Sequence, residues 1–335
     1  MAAAETLPAT EPAKARRAKK RHPGNGGGAT ASESRLALWL IMPSGLLLGL
    51  VVGYPIISAF WLSFHGDPLT GPRPWVGFKN YTRALWGTDH QAFWASFKVT
   101  LLFTVSTVVL EVLIGVLMAL VMNRKFPGRG LVRACVLVPW AIPTAVTAKM
   151  WEWILQPNGI LNRILPTSLV KAVCPGGWLD ERGHIIWLHK DWPAKFAIIM
   201  ADTWKTAPFV ALLVLAGLQI IPDDLYEAAR VDGATAWQRF VRITLPLLKP
   251  ALLVAVLFRM LDVMRIFDLP AILTQGANDT NSLSLFAYHN AIQGTHFGYG
   301  SALSTLTFLI IFVMAFGMVK LFGVKVMDTQ AKGVK

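Results

Sequence analysis

Charge is scarce in this 335-residue chain: Asp, Glu, Lys and Arg make up 15% of it, where soluble domains carry about 25%. Acid is scarcer still, with 19 Asp and Glu against 32 Lys and Arg and a formal net charge of +13. Cysteine is almost missing. Cys135 falls near the start of an apolar run and Cys174 in a long loop, on opposite sides of any membrane those runs would cross. A disulfide is therefore not expected, and no Cys/His spacing suits a metal. The chain also contains no G-x-x-x-x-G-K-[ST] stretch, so it has no loop of its own to cradle a nucleotide's phosphates. Its basic residues cluster at the edges of apolar runs and form no aromatic-interleaved patch. Topology and anionic headgroups account for them better than nucleic acid does.

What the chain has is apolar length. It is 54% hydrophobic, and several runs reach the roughly 20 residues that span a bilayer as a helix. Backbone groups in lipid must be satisfied internally, so the expected fold is all-α: a polytopic membrane protein with six transmembrane helices. They fall near 36–64, 95–122, 131–154, 194–220, 250–269 and 298–322. With the N-terminus placed in the cytoplasm, the inner segments, taken with Lys320, hold 19 Lys and Arg against 7 in the outer ones. This asymmetry supports both the span count and an orientation with both termini inside. Trp61, Trp94, Trp151, Trp153, Trp192 and Trp204 fall near outer ends, as an interfacial belt would place them. Residues 1–34 carry the block Lys14, Arg16, Arg17, Lys19, Lys20 and Arg21 and read as a disordered cytoplasmic tail, not a signal peptide. Residues 35–325 form the membrane domain, and 326–335 a cytoplasmic C-terminal tail. The outer loop 155–193 is long enough to be either a contact surface or a plain cap.

Residues 222–246 separate the fourth and fifth spans and alternate polar with apolar positions. Asp224 and Glu227 are spaced as a capping box for a helix over 225–232, and Gly233 suits a left-handed stop. Thr235 and Gln238 repeat the box for a second helix from 236 to about 245, which Pro246 and Pro250 would separate from the fifth span. Glu227 and Gly233 could do no more than cap and turn. Ala228 and Ala229 argue for more, since they leave a smooth face open to close approach.

The order Glu227-Ala228-Ala229, Gly233, Ile243 and Leu245-Pro246 resembles the EAA loop of binding-protein-dependent ABC importer permeases. Trp204-Lys205-Thr206-Ala207-Pro208-Phe209, Leu215 to Pro222, and Arg265-Ile266-Phe267-Asp268 with Leu273-Thr274 are similar to the carbohydrate-importer branch. The likeness covers about residues 35–325. It implies that the loop docks, as a helix–turn–helix, in a groove of a separate ATP-binding subunit. Glu227, Ala228, Ala229, Asp232 and Gly233 would sit at that contact, and Ile243, Leu245 and Pro246 would anchor it. Where many members have Gly-Gly-Gly-Pro after the fifth span, this chain has Gln275-Gly276-Ala277-Asn278, which leaves the shape of that outer turn open.

Arg259, Asp262, Arg265 and Asp268 recur every third residue and would form one drifting stripe on a fifth helix. A charge at mid-bilayer costs about 2.5–3.5 kcal/mol on insertion scales, so the four must face other helices or a water-filled route, as Arg–Asp pairs. They are either a static ladder or part of a translocation path. Asp202 and Lys205 on the fourth span, and Lys149 and Glu152 on the third, are further path candidates. Glu111 must be buried by the same logic, without a role that its position assigns.

The resemblance implies a permease subunit of an ATP-driven, binding-protein-dependent sugar importer in the inner (plasma) membrane of a bacterial cell, with a disaccharide such as trehalose as cargo. Its expected partners are a second permease, two ATP-binding subunits and an extracytoplasmic sugar-binding lipoprotein. ATP and magnesium would belong to the ATPase subunits, and this chain would bind no cofactor and catalyse nothing itself. An importer of another substrate, such as a glycerol phosphate, is one alternative. An ion-coupled secondary transporter is another, but no internal repeat supports it. An intramembrane enzyme would need a catalytic cluster, whereas His184, His189, His289 and His296 lie in loops without carboxylates or thiols at ligand spacing.

Overall fold

The computed structural model describes residues 31–68, 71–165 and 176–320. Most of the basic tail, the C-terminal tail, Cys174 and the end of the sixth expected span lie outside them. The protein is all-α, and the only β features among the described residues are two isolated bridges, His65 with Trp75 and Leu179 with Ile185. It divides into two units at Ile56. The described part of the first is α1 (Ala31–Leu48), which carries Pro43 and passes through a wide π turn, Gly49–Gly53, into the start of α2 (Tyr54–Leu62), whose residues from Ile57 on belong to the second unit.

The second unit holds α3 (Lys79–Leu85), α4 (His90–Asn123), α5 (Arg129–Ala141), α6 (Thr144–Ile154) and α7 (Ile160–Ile164). After them come α8 (Asp191–Gln219), α9 (Asp223–Val231), α10 (Ala236–Arg239), α11 (Leu245–Val263), α12 (Asp268–Leu273), α13 (Leu283–Tyr288) and α14 (Phe297–Met318). Five helical stretches are long and apolar enough to cross a membrane: Trp39–Leu62, His90–Asn123, Asp191–Gln219, Ala236–Val263 and Phe297–Met318. The expected third span is not one helix. It is the pair α5 and α6, bent by 92°, and counting the pair as one span gives six. The break falls at Ile142-Pro143, both extended, because a residue before proline is pushed out of the helical region.

The fifth span also departs from expectation at both ends. Helix α10 does not stop before Pro246. It runs through a π turn, Phe240–Thr244, into α11, so that Ala236–Val263 is one helical stretch. Pro246 follows directly on the widened turn, and the carbonyl its ring would crowd, that of Arg242, belongs to that turn. At the other end α11 finishes at Val263, and Arg265 and Asp268 lie beyond it. The stripe of four charges is therefore broken after Asp262.

Helix α8 is the central element and packs along α4. Gly115 makes this possible: a Cβ there would stand 2.8 Å from Val210 Cγ1 and 3.1 Å from the backbone nitrogen of Ala211. Gly217 allows a similar approach of α11, where a Cβ would meet Ala251 Cβ at 2.6 Å. Phe103, Ile198 and Val263 fill one core layer, and Met122, Val214 and Leu248 another.

Candidate functional site

The 222–246 segment folds as two helices about a turn. The expected Asp224 cap is not made. Helix α9 begins two residues earlier, after Pro222, which makes no side-chain cap, and places Asp223 and Asp224 in its first turn. There the two carboxylates complement the helix dipole without accepting a capping bond. The helix ends at Val231, and Gly233 takes φ +76°, a left-handed value that a side chain would resist. The second box is formed in full: Gln238 N–H donates to Thr235 Oγ1 at 3.3 Å, and Thr235 N–H to Gln238 Oε1 at 2.8 Å. Tyr226 and Thr244 hydroxyls meet at 3.0 Å and tie α9 to the π turn. Sequence reasoning missed that tie, since two hydroxyls 18 residues apart carry no local signal.

Glu227, Ala228, Asp232 and Gly233 are exposed, and Ala229 is half-buried. Val231 and Trp237 of the same segment lie 88% and 72% open. Ile243 lies in the π turn, and Leu245 and Pro246 begin α11. All three are thus continuous with a span.

The second constellation lies in the helical core. Glu111 on α4 is fully buried and accepts two bonds from Arg259 on α11, at 2.6 Å from Nε and 2.7 Å from Nη2. Arg259 Nη2 also donates to Asp202 of α8 at 3.0 Å, and Nη1 to Asp262. Thr206 donates to Glu111. One guanidinium thus joins three helices through three carboxylates, matching the planar fork that arginine offers. Glu111, whose role its position did not assign, is the main partner. Its signal was a lone acid inside an apolar run, and the partner could not be named without the helix packing.

A cleft of about 140 Å³ opens beside this cluster and is lined by Asp202, Lys205, Asp262, Arg265 and Asp268, with Thr206. Five of the eight path candidates thus share one cavity, with Arg259 bonded to two of them, Asp202 and Asp262. The expected pairing of Arg265 with an Asp is not found among the described residues. Its Nε donates to the Leu261 carbonyl at 3.2 Å instead, because the helix end turns the side chain back along α11. Lys149 and Glu152 pair with each other at 2.7 Å.

The described part of the 155–193 loop is held by Asn162 and Asp180. Asn162 bonds both backbone groups of Ile185, at 3.0 and 3.2 Å, and accepts from Trp187 Nε1 at 3.2 Å. Asp180 accepts from the backbone N–H groups of His184 and Arg182 at 2.7 and 2.9 Å, and these bonds hold its carboxyl below the usual range. No group of His, Cys, Asp and Glu suited to a metal occurs among the described residues.

Residues 111–328 match the family described as the binding-protein-dependent transport system inner membrane component. The chain belongs to that family, the membrane-spanning permease subunits of ABC transporters, and is a transport subunit, not an enzyme. The trehalose/maltose transport system permease protein MalF of Thermococcus litoralis is 42% identical over 283 residues, 83% of this chain and 90% of that protein. The trehalose transport system permease protein SugA of Mycobacterium tuberculosis is 40% identical over 299 residues, 88% and 91%. Among solved structures, a bacterial ABC transporter involved in the import of the acidic polysaccharide alginate shares the fold. The TM-score is 0.73 at 23% identity, over 87% of this chain and 96% of that one. Membership sets aside the ion-coupled carrier and the intramembrane enzyme.

Proposed function

We propose that this chain is one of two permease subunits of an ATP-driven sugar importer, with a disaccharide such as trehalose as cargo. The named relatives that import trehalose support the cargo. The carrying observation is mechanical: Ala236–Val263 is one helical stretch that begins in the exposed helix–turn–helix and ends at the charge cluster. From Trp237 to Arg259 it reaches about 33 Å at 1.5 Å per residue. A displacement imposed on the docking element therefore reaches the Glu111–Arg259–Asp202 junction without crossing a flexible link.

In this reading both termini and the 222–246 element face the cytoplasm. Two separate ATP-binding subunits hold ATP and magnesium, and one of them grips Glu227, Ala228, Ala229, Asp232 and Gly233. A sugar-binding lipoprotein delivers cargo from outside, this chain binds no cofactor or nucleic acid, and membrane lipid surrounds it. Closure of the ATPase pair drives a rigid-body change between inward- and outward-open states, coupled through their different affinities for nucleotide and sugar. Polar groups in the cleft replace the water that sugar hydroxyls lose on the way through.

Uptake of labelled trehalose, maltose, a monosaccharide and glycerol 3-phosphate by a deletion strain restored with this chain tests the reading. Uptake of a disaccharide that stops when ATP is depleted is expected. Restoration of glycerol phosphate uptake alone would overturn the assignment of sugar.

A further inference from the structure

The outer turn after α12 is the one motif that the family resemblance left open. Its backbone is unusual. Gln275, Asn278 and Asp279 take φ values of +53°, +56° and +52°, and Gly276 between them +78°. Residues other than glycine are held in this region only when surrounding contacts over-determine them, and such residues cluster at functional sites. The ties are visible. Asn278 Nδ2 donates to the Leu188 carbonyl at 2.9 Å, the buried Lys195 of α8 pairs with Asp279, and Thr274 and Thr280 hydroxyls meet at 2.6 Å. Side chains thus hold a shape that glycines would permit but not enforce.

The held turn forms one wall of a cleft of about 390 Å³, whose other walls come from the end of α6 and from residues 186–189. Small-molecule sites begin at roughly this size, and a disaccharide fits within it. Gln156, His189 and Gln275 are exposed and line it together with Glu152, Thr274 and Asn278. The side chains of Gln156, His189 and Gln275 make no hydrogen bond to the described residues, so their donors and acceptors are free to serve a ligand. The set offers both donors and acceptors and is mostly uncharged, which matches a neutral polyhydroxylated molecule better than an anion. The cleft adjoins the start of α8, whose 29 residues place it about 43 Å from the coupling end.

We infer that this cleft is an entry subsite for the cargo sugar, a neutral disaccharide-sized molecule hydrogen-bonded by Gln156 and Gln275 before it reaches the charged cleft deeper in the bundle. The inference builds on the sugar-import reading above. Its test uses the whole transporter in the deletion strain and compares wild type with the Gln156→Leu/Gln275→Leu double variant. Uptake is normalised to chain level in the membrane, and ATPase activity stimulated by trehalose-loaded binding protein is measured in vesicles. The expected result is a roughly tenfold lower maximal trehalose uptake, the size of losing two neutral hydrogen bonds, with stimulated ATPase activity retained. Gln275→Glu, which keeps an acceptor, retains more uptake than Gln275→Leu. Unchanged uptake in the double variant overturns the subsite. So does loss of ATPase stimulation along with uptake, which would make the cleft a docking face for the binding protein. Failure of the wild type itself to import any disaccharide would instead overturn the sugar reading.

Discussion

Glu111 and Arg259, 148 residues apart in sequence, face each other as a two-bond ion pair in the core, with Glu111 fully buried. Breaking a buried pair by removing one partner costs about 3–5 kcal/mol, whereas replacing both with apolar residues is often neutral. Arg259→Met leaves the largely buried Asp202 without this partner as well, so it is expected to destabilise the chain more than Glu111→Gln. Thermal unfolding in detergent would show this order. A milder effect of Arg259→Met than of Glu111→Gln would mean that the guanidinium does not organise the cluster.

Gly115 sets how closely α4 and α8 approach. A leucine there meets Val210 and the Ala211 backbone, and such overpacking typically costs about 1–3 kcal/mol. Gly115→Leu should lower the unfolding temperature and transport together. Gly317→Ala, at a helical position with open space around it, should leave the temperature unchanged or slightly higher.

How much of this could be read in the chain follows from the range of each signal. Gly233 and the Thr235–Gln238 box are local and stand where the sequence put them, and the apolar runs are helical, though the third is bent and the fifth is shifted at both ends. The bend at Pro143, the passage of the helix through Pro246 and the break after Val263 were missed. Proline marks a disturbance but does not say whether the chain bends, widens a turn or continues. The charge stripe was expected on one helix; in the fold its center is Arg259, whose partners come from three helices. Periodicity along a single segment cannot name such partners.

The 222–246 element should respond to its turn and its cap separately. Thr235→Ala removes the capping oxygen and is expected to cost about 0.5–2 kcal/mol of local helix stability. Gly233→Val places a β-branched residue at φ +76° and should distort the turn more. Both should lower ATPase subunit recovery with tagged chain, the valine variant further. Equal recovery from wild type and both variants would detach the element from ATPase binding.

Asp180 should give the 155–193 loop a pH dependence. Its carboxyl is held below the ordinary value of 3.8 by the N–H groups of His184 and Arg182. A depressed acid contributes stability that is full above its unfolded value and is lost as pH falls through the lower folded value. Protection of the Arg182 and His184 amides from hydrogen exchange, corrected for intrinsic rate, should hold from neutral pH to about 4 and fall only below that. Asp180→Ala should remove it at every pH. Loss of protection already near pH 5 in the wild type would contradict the assignment.

Most depends on which protein touches residue 228. A photocrosslinking amino acid placed at Ala228, in membranes containing the whole transporter, should yield a product containing this chain and an ATP-binding subunit. If crosslinks form only to an extracytoplasmic protein, the element faces outward and no helix beginning there can carry a nucleotide-driven stroke to Arg259.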